Sequence, residues 1–256
     1  FVVGLTSAIY AARGETGSDA FDVTAFGAVG DGVTLNTTAI QAAIDAAEKQ
    51  GGGEVVFPPG AFLTGTVYLK SHVLLRVGQG ATLLGSTNLA DYPANYCAYP
   101  SRTDTYTVRA LIWGEGLEDV GITGTGVIDG QGKAFDGNRG TPKEVEEYSK
   151  PLVDEGRYPL DKIYMNRPYI IRLVSCRKVL VENVTLRNSP MWMQHYLDCD
   201  FLTLRGITVY NHVCANNDMV DIDGCRNVIV SDCIGDTDDD ALTLKSTGAR
   251  ATEHVA

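Results

Sequence analysis

The sequence predicts an all-β chain, a right-handed parallel β-helix with one capping helix near its N-terminal end. Three observations lead there. From Glu54 onward, apolar residues alternate with period two in run after run. The runs come back every 22 to 26 residues, a period at which single units cannot bury their apolar face and must stack. Glycine is abundant, 28 of 256 residues, which suits a fold made of many tight turns.

The chain opens on Phe1, and residues 1–12 are apolar and end in small residues. This pattern fits the end of a secretory signal peptide with its cleavage site, so residues 1–20 are expected to be a signal remnant and N-terminal segment. Residues 21–256 are expected to form one β-helix domain, incomplete at its C-terminal end. Residues 21–30 alternate and then turn at Asp31-Gly32. One helix follows. Asn36 or Thr37 can cap it, Ile40, Ala43, Ile44 and Ala47 make a single apolar stripe, and Gly51-Gly52-Gly53 ends it. Its expected task is to cover the open end of the sheet stack, which would otherwise pair with another chain.

Strands follow. Val55-Val56-Phe57 stops at Pro58-Pro59-Gly60, and Val67, Leu69, Val73, Leu75 and Val77 continue with period two. Residues 133–166 break the rhythm with charges and prolines, and within them 143–148 suit a short helix. They read as one long excursion from the solenoid, of the kind that builds binding walls on rigid scaffolds.

Beyond them the repeat is explicit. Cys176, Cys199 and Cys225 are equivalent points. Three residues later stand Val179, Leu202 and Val228; five later, Val181, Leu204 and Val230; eight later, Val184, Ile207 and Cys233; ten later, Leu186, Val209 and Gly235. Leu117 begins a weaker copy through Val120, Ile122, Thr125 and Val127. Two short strands per coil are expected. Leucine-rich repeats share the period, but their regular Leu-x-x-Leu-x-Leu pattern is missing. The aligned cysteines read as an inward ladder, free Cys packing as a small hydrophobe. The six cysteines show no Cys-x-x-Cys spacing, which argues against a zinc site.

The chemistry concentrates between Asn216 and Asp240. Asp218 and Asp240 lie 22 residues apart, as do Val220 and Leu242. Successive coils would set these turns one above the other, ~4.8 Å apart, and bring Asp218, Asp239 and Asp240 together. Arg226, about half a coil away, is the only Lys or Arg between them in the chain. Unpaired like charges so close favour proton uptake by one carboxyl, and a protonated acid beside ionised carboxylates suits general acid–base hydrolysis. A Ca²⁺ site or a solvated turn stack has the same spacing. The net charge of −11 argues against nucleic acid or an anionic membrane as partner, and no apolar run is long enough to span a bilayer.

Several segments together resemble the pectin-degrading glycoside hydrolases of family 28. They are 26–32 leading into 39–44 and 51–53, then 122–132, and Ser189-Pro190-Met191-Trp192 with His195, similar to the family's Ser-Pro-x-Trp-x-x-His. Asn216-Asn217-Asp218 resembles its Asn-Thr-Asp, with Met219 where a small residue is usual, and Asp239-Asp240 resembles its Asp-Asp pair. The resemblance implies an inverting hydrolase of galacturonate-containing pectin, without metal or cofactor, in which Asp239 is the general acid while Asp218 and Asp240 hold the attacking water. Asn216, Trp192, His195 and Lys245 would bind substrate: Trp192 by stacking on a sugar, Lys245 by meeting a uronate carboxylate. The expected partner is a pectic polysaccharide or oligogalacturonide, the expected state a monomer, and the expected location secreted or periplasmic. An inverting pair needs carboxyls roughly 6.5–9.5 Å apart to admit water. The Ser-Pro-x-Trp-x-x-His form is closer to exo-acting and bacterial or plant members. The family's later Gly-His-Gly and Arg-x-Lys motifs do not occur before Ala256, so the sequence is expected to be part of a longer protein. Two other readings stand beside this one, a β-helix polysaccharide lyase using Ca²⁺ and a non-catalytic carbohydrate-binding β-helix.

Overall fold

Every described coil after the first carries three strands where two were expected. The computed structural model of the protein describes residues 20–136 and 167–248; the expected signal remnant and the core of the long excursion lie outside them. All strand pairs between coils are parallel, and the strands sort into three sheets visited in strict rotation. Sheet 1 runs from Ala20–Asp22 to Arg226–Ser231 and sheet 2 from Asp31–Leu35 to Ile234–Thr237, with seven strands each. Sheet 3 has six, from Val67–Tyr68 to Thr243–Lys245. This is a parallel β-helix. The cysteine-anchored columns run only through the strands of sheets 1 and 2, so a repeat read from them counts two strands per coil.

The register follows the alternation. Arg177 pairs with Asp200 and Asp200 with Arg226, so Cys176, Cys199 and Cys225 stack as a column. Val179, Leu202 and Val228 form the next inward column, and Val181, Leu204 and Val230 the one after. All six cysteines are free thiols. The weaker copy from Leu117 slips by one residue: Ile128, not Val127, pairs with Leu186. Gly124 is the extra residue, at φ +106°. A Cβ there would sit 2.1 Å from the Val77 carbonyl oxygen. That oxygen belongs to a paired strand and cannot move aside cheaply. Gly124→Ala is therefore expected to cost about 1–3 kcal/mol, read as a lowered urea midpoint with unchanged slope.

Helix α1 (Thr37–Lys49) presents Ile40, Ala43, Ile44 and Ala47 to the core. Gly51, in the left-handed region, closes it, with its N–H on the Glu48 carbonyl and that of Gly52 on Ala47. Asn36 precedes the helix but does not cap it with its side chain. Its amide instead bonds the Val29 N–H and the carbonyls of Val29 and Thr34, which ties the chain entry to the helix and buries Asn36. The helix occupies the place of a sheet 3 strand in the first coil. The Gln41 amide accepts from the Tyr68 N–H at 2.8 Å and donates to its carbonyl at 3.1 Å. One side chain thus supplies the ladder bonds of the missing neighbour strand, so the edge of sheet 3 is covered as expected.

Length variation gathers at one corner. Between sheets 1 and 2 the linkers are short. Between sheets 2 and 3 the chain makes segments 86–109, 130–168, 188–193 and 212–220. Segment 86–109 folds back over the outer face of sheet 3 and covers Trp113, Arg172 and His195. The candidate site lies at this corner.

Candidate active site

Two turns of the sheet 2–sheet 3 corner interlock. Asn217, fully buried, donates through Nδ2 to the carbonyls of Ser189 and Met191 at 3.0 Å each and accepts the Cys214 N–H through Oδ1 at 2.7 Å. Arg167 reaches the Pro190 and Ala215 carbonyls. These bonds lock the Ser189–Trp192 turn to the Asn216–Asp218 turn. The Asp218 backbone is fixed from below, its carbonyl accepting the Met193 N–H at 2.8 Å, while the Asp240 carbonyl accepts the Met219 N–H at 2.9 Å from the next coil. The offset of 22 expected here is realised, since Asp221 pairs with Thr243 and Ile222 with Leu244. Met219 has room for its side chain because Gly235 stands where Leu186 and Val209 stand in the coils below; a Cβ on Gly235 would meet the Met219 sulfur at 2.1 Å.

Of the expected carboxylates, Asp218 is buried while Asp239 and Asp240 are exposed on the following turn. In the amide orientation that satisfies both neighbours, Asn216 donates to Asp239 at 3.1 Å and accepts the Trp192 Nε1–H at 3.2 Å. Asp240 accepts a 3.3 Å bond from the Thr243 hydroxyl.

The carboxylates are not unpaired. Lys245 Nζ lies 2.5 Å from Asp221 and 3.7 Å from Asp218. It also sits 3.3 Å from the centroid of the Trp192 ring, a cation–π contact. The sequence reading passed over Asp221 as one polar residue of an alternating strand, yet it is fully buried. Burial, with the Asp221 charge next and Asp239 adding to it, pushes the Asp218 carboxyl up to about 8 despite Lys245. Burial also raises Asp221, against the pull of Lys245. Burial thus favours a proton on Asp218, whereas the family resemblance places the acid at Asp239. The sign for stability follows: a carboxyl raised by folding contributes fully below about pH 4, and its contribution is lost as pH rises through about 8. Asp218→Asn is expected to melt at the same temperature as the wild type near pH 4 and several degrees higher at pH 8.

Three expected substrate contacts look inward instead. Trp192 is buried, in ring contact with Tyr106, Tyr169 and His195, so neither face is open for stacking on a sugar. His195 is fully buried and bonds Asp223 at 3.3 Å. Burial lowers its pKa, and its neutral ring donates from Nε2. Burial acts to raise Asp223, but this bond and those from Thr247 outweigh it and hold the carboxylate ionised. Lys245 meets carboxylates of its own chain. Behind His195, Arg172 forms a buried ion pair with Asp104 of segment 86–109. Ser101 of the same segment bonds Thr247 at 2.5 Å and Asp223 at 3.5 Å.

Comparison with known proteins identifies the class. The profile of Glycosyl hydrolases family 28 matches residues 49–253, and the chain belongs to that family. A curated relative from Vitis vinifera named "Probable polygalacturonase" is 34% identical over 230 residues, 86% of this chain and 43% of the relative. Among solved structures, the exopolygalacturonase of Thermotoga maritima superposes with a TM-score of 0.75 at 29% identity, covering 89% of this chain and 55% of that one. The family 28 exopolygalacturonase of Yersinia enterocolitica gives 0.70 at 30% identity, covering 88% and 44%. The chain spans about half the length of the relatives it matches. Among the described residues no helix is long and apolar enough to cross a membrane.

Proposed function

We propose that the protein hydrolyses α-glycosidic bonds of galacturonate-containing pectin by a single, inverting displacement. Asp239 protonates the leaving oxygen; Asp218, once ionised, and Asp240 hold and activate the water. Asn216 steers Asp239 and is the polar group at the mouth of the site. Trp192 and His195 act from behind it, as supports of Asn216 and Asp223. The observation that carries this reading is the stacking of the Asp218 and Asp239–Asp240 turns at one corner, with the Asn216 amide donating to Asp239 and Lys245 beside Asp218. The lyase alternative, with Ca²⁺ between the aspartates, is disfavoured by the Lys245 ammonium, which fills the space between Asp218 and Asp221. Pectin is a wall polymer too large to enter a cell, so the place of action is outside the cytoplasm.

Cleavage near a chain end fits best. Segment 86–109 crosses the outer face of sheet 3 from Trp113 and Arg172 to Asp223 and Thr247, and two matched structures are named exopolygalacturonases. The test is proton NMR of oligogalacturonate digestion. The first anomer formed should be the β form, from an α bond, without unsaturated ends and with the same rate in chelator. Polymer viscosity should fall slowly relative to reducing-end release. An α product or ultraviolet-absorbing ends would refute the reaction class, and a fast viscosity drop would refute chain-end action alone.

A further inference from the structure

We infer that Asp221 and Lys245 form a buried charge couple that positions Asp218 and governs its ionisation, so that this couple, and not Asp218 alone, sets the acid side of the protein's pH response. The inference rests on the proposed hydrolysis only for its catalytic consequence.

Asp218 and Asp221 occupy one strand entry, three residues apart, both buried, with Lys245 Nζ within 3.7 Å of the one and 2.5 Å of the other. One ammonium cannot neutralise two buried carboxylates, so one of the two carboxyls keeps a proton. Asp218 Oδ1 is buried with no hydrogen-bond partner among the described residues, so no backbone N–H takes the proton's place. The Lys245 ammonium neutralises one carboxylate, and contacts Asp221 more closely, at 2.5 Å against 3.7 Å. The ionised member is therefore Asp221 and the proton stays on Asp218. Lys245 is fixed over the Trp192 ring, which holds that preference in place.

The charged groups facing the couple are few and named. Asp239 is on the next turn and raises Asp218. His195 lies one coil below, its Cα paired with that of Asp221; it is neutral, with Asp223 and then Arg172 behind it. Asp238 accepts the Asn217 N–H, Asp240 holds Met219 through its carbonyl, and Arg167 reaches the carbonyl of Ala215. None of these comes between Lys245 and the two aspartates. Removing either member of the couple should therefore move Asp218, and in opposite directions. Asp221→Asn takes away a like charge, so Asp218 ionises at lower pH. Lys245→Met takes away an opposite charge, so it ionises at higher pH.

The experiment is carbon-13 NMR of aspartate-labelled protein, with Asp218→Asn assigning the resonance, together with the pH profile of kcat/KM on oligogalacturonate. The wild-type Asp218 carboxyl should titrate near 8. Asp221→Asn should move it down and Lys245→Met up, each by about one pH unit, and the acid limb of kcat/KM should follow. Lys245→Arg should restore most of the wild-type position. Shifts in the same direction, or no shift in either variant, would overturn the inference; general damage to the fold lowers kcat/KM without splitting the two variants. If one variant fails to fold, the direction of the other still decides. Opposite carboxyl shifts in a protein that cleaves no pectin would sink the proposed reaction and leave the couple standing.

Discussion

Asp239→Asn should lower kcat on pectic oligomers by about 10²–10⁴-fold, the range that a positioned general acid supplies, with the melting temperature within a degree or two of wild type. The two halves of this expectation have separate causes. Asparagine has nearly the same shape and cannot donate a carboxylic proton, so the leaving oxygen departs unprotonated. The fold is spared because Asp239 is exposed, on a turn whose backbone is held through Asp240 and Met219. Its side-chain partner, the Asn216 amide, can donate equally well to the new amide oxygen. KM should change little, since asparagine keeps the shape of the side chain and its bond from the Asn216 amide. Oligogalacturonate turnover within threefold of wild type would remove Asp239 from the mechanism.

Arg172→Met should cost about 3–5 kcal/mol of stability, the usual penalty when one partner of a buried ion pair is removed and the other is left. Arg172 is 1% exposed and Asp104 fully buried. Burial alone would disfavour the guanidinium charge, and Asp104 more than compensates. Its remaining contacts are the Thr107 carbonyl and the faces of Trp113 and Tyr169. Methionine fills the volume of the stem but takes the guanidinium away from the buried Asp104 carboxylate. Chemical denaturation measures the loss. Segment 86–109 should loosen first, seen as faster amide exchange at Ser101 and Asp104 while the Cys176–Cys199–Cys225 stack stays protected. A loss under 1 kcal/mol would mean that water already reaches the pair.

The contrast between these two residues also explains what could be read from the sequence. Inward columns are legible because period two and a constant coil offset act on the same residues. Val179 over Leu202 over Val228 needs no information beyond the chain's own spacing, and the Asp218-to-Asp240 offset of 22 obeys the same rule. Outward positions carry no such signal. Arg172, His195, Asp221 and Asp223 alternate with apolar neighbours as any solvated strand face would. Whether they are wet depends on a segment far off in sequence, with Asp104 68 residues from Arg172 and Ser101 122 residues from Asp223. The local pattern could therefore find Asp218 and Asp239 but could not see that Lys245 belongs to Asp221, nor that Trp192 and His195 face protein instead of sugar. The Thr125–Val127 slip has a similar origin, a single left-handed glycine that shifts phase without altering composition.

The corner between sheets 2 and 3 has a consequence for how such a protein can diversify. Strand register is fixed by sheets 1 and 2 on either side of a short linker, and it passes undisturbed through segment 86–109: Gly85 ends a paired strand, Ala110 begins another, and both remain in phase with their neighbours. Loop length is therefore a nearly free variable at this corner, because closing a longer loop adds cost only logarithmically. Since consecutive coils stack these loops side by side, a lineage can lengthen one of them and reshape the mouth around a fixed set of aspartates without rebuilding the scaffold. Under the proposed reaction, the substrate can drift while the chemistry is inherited.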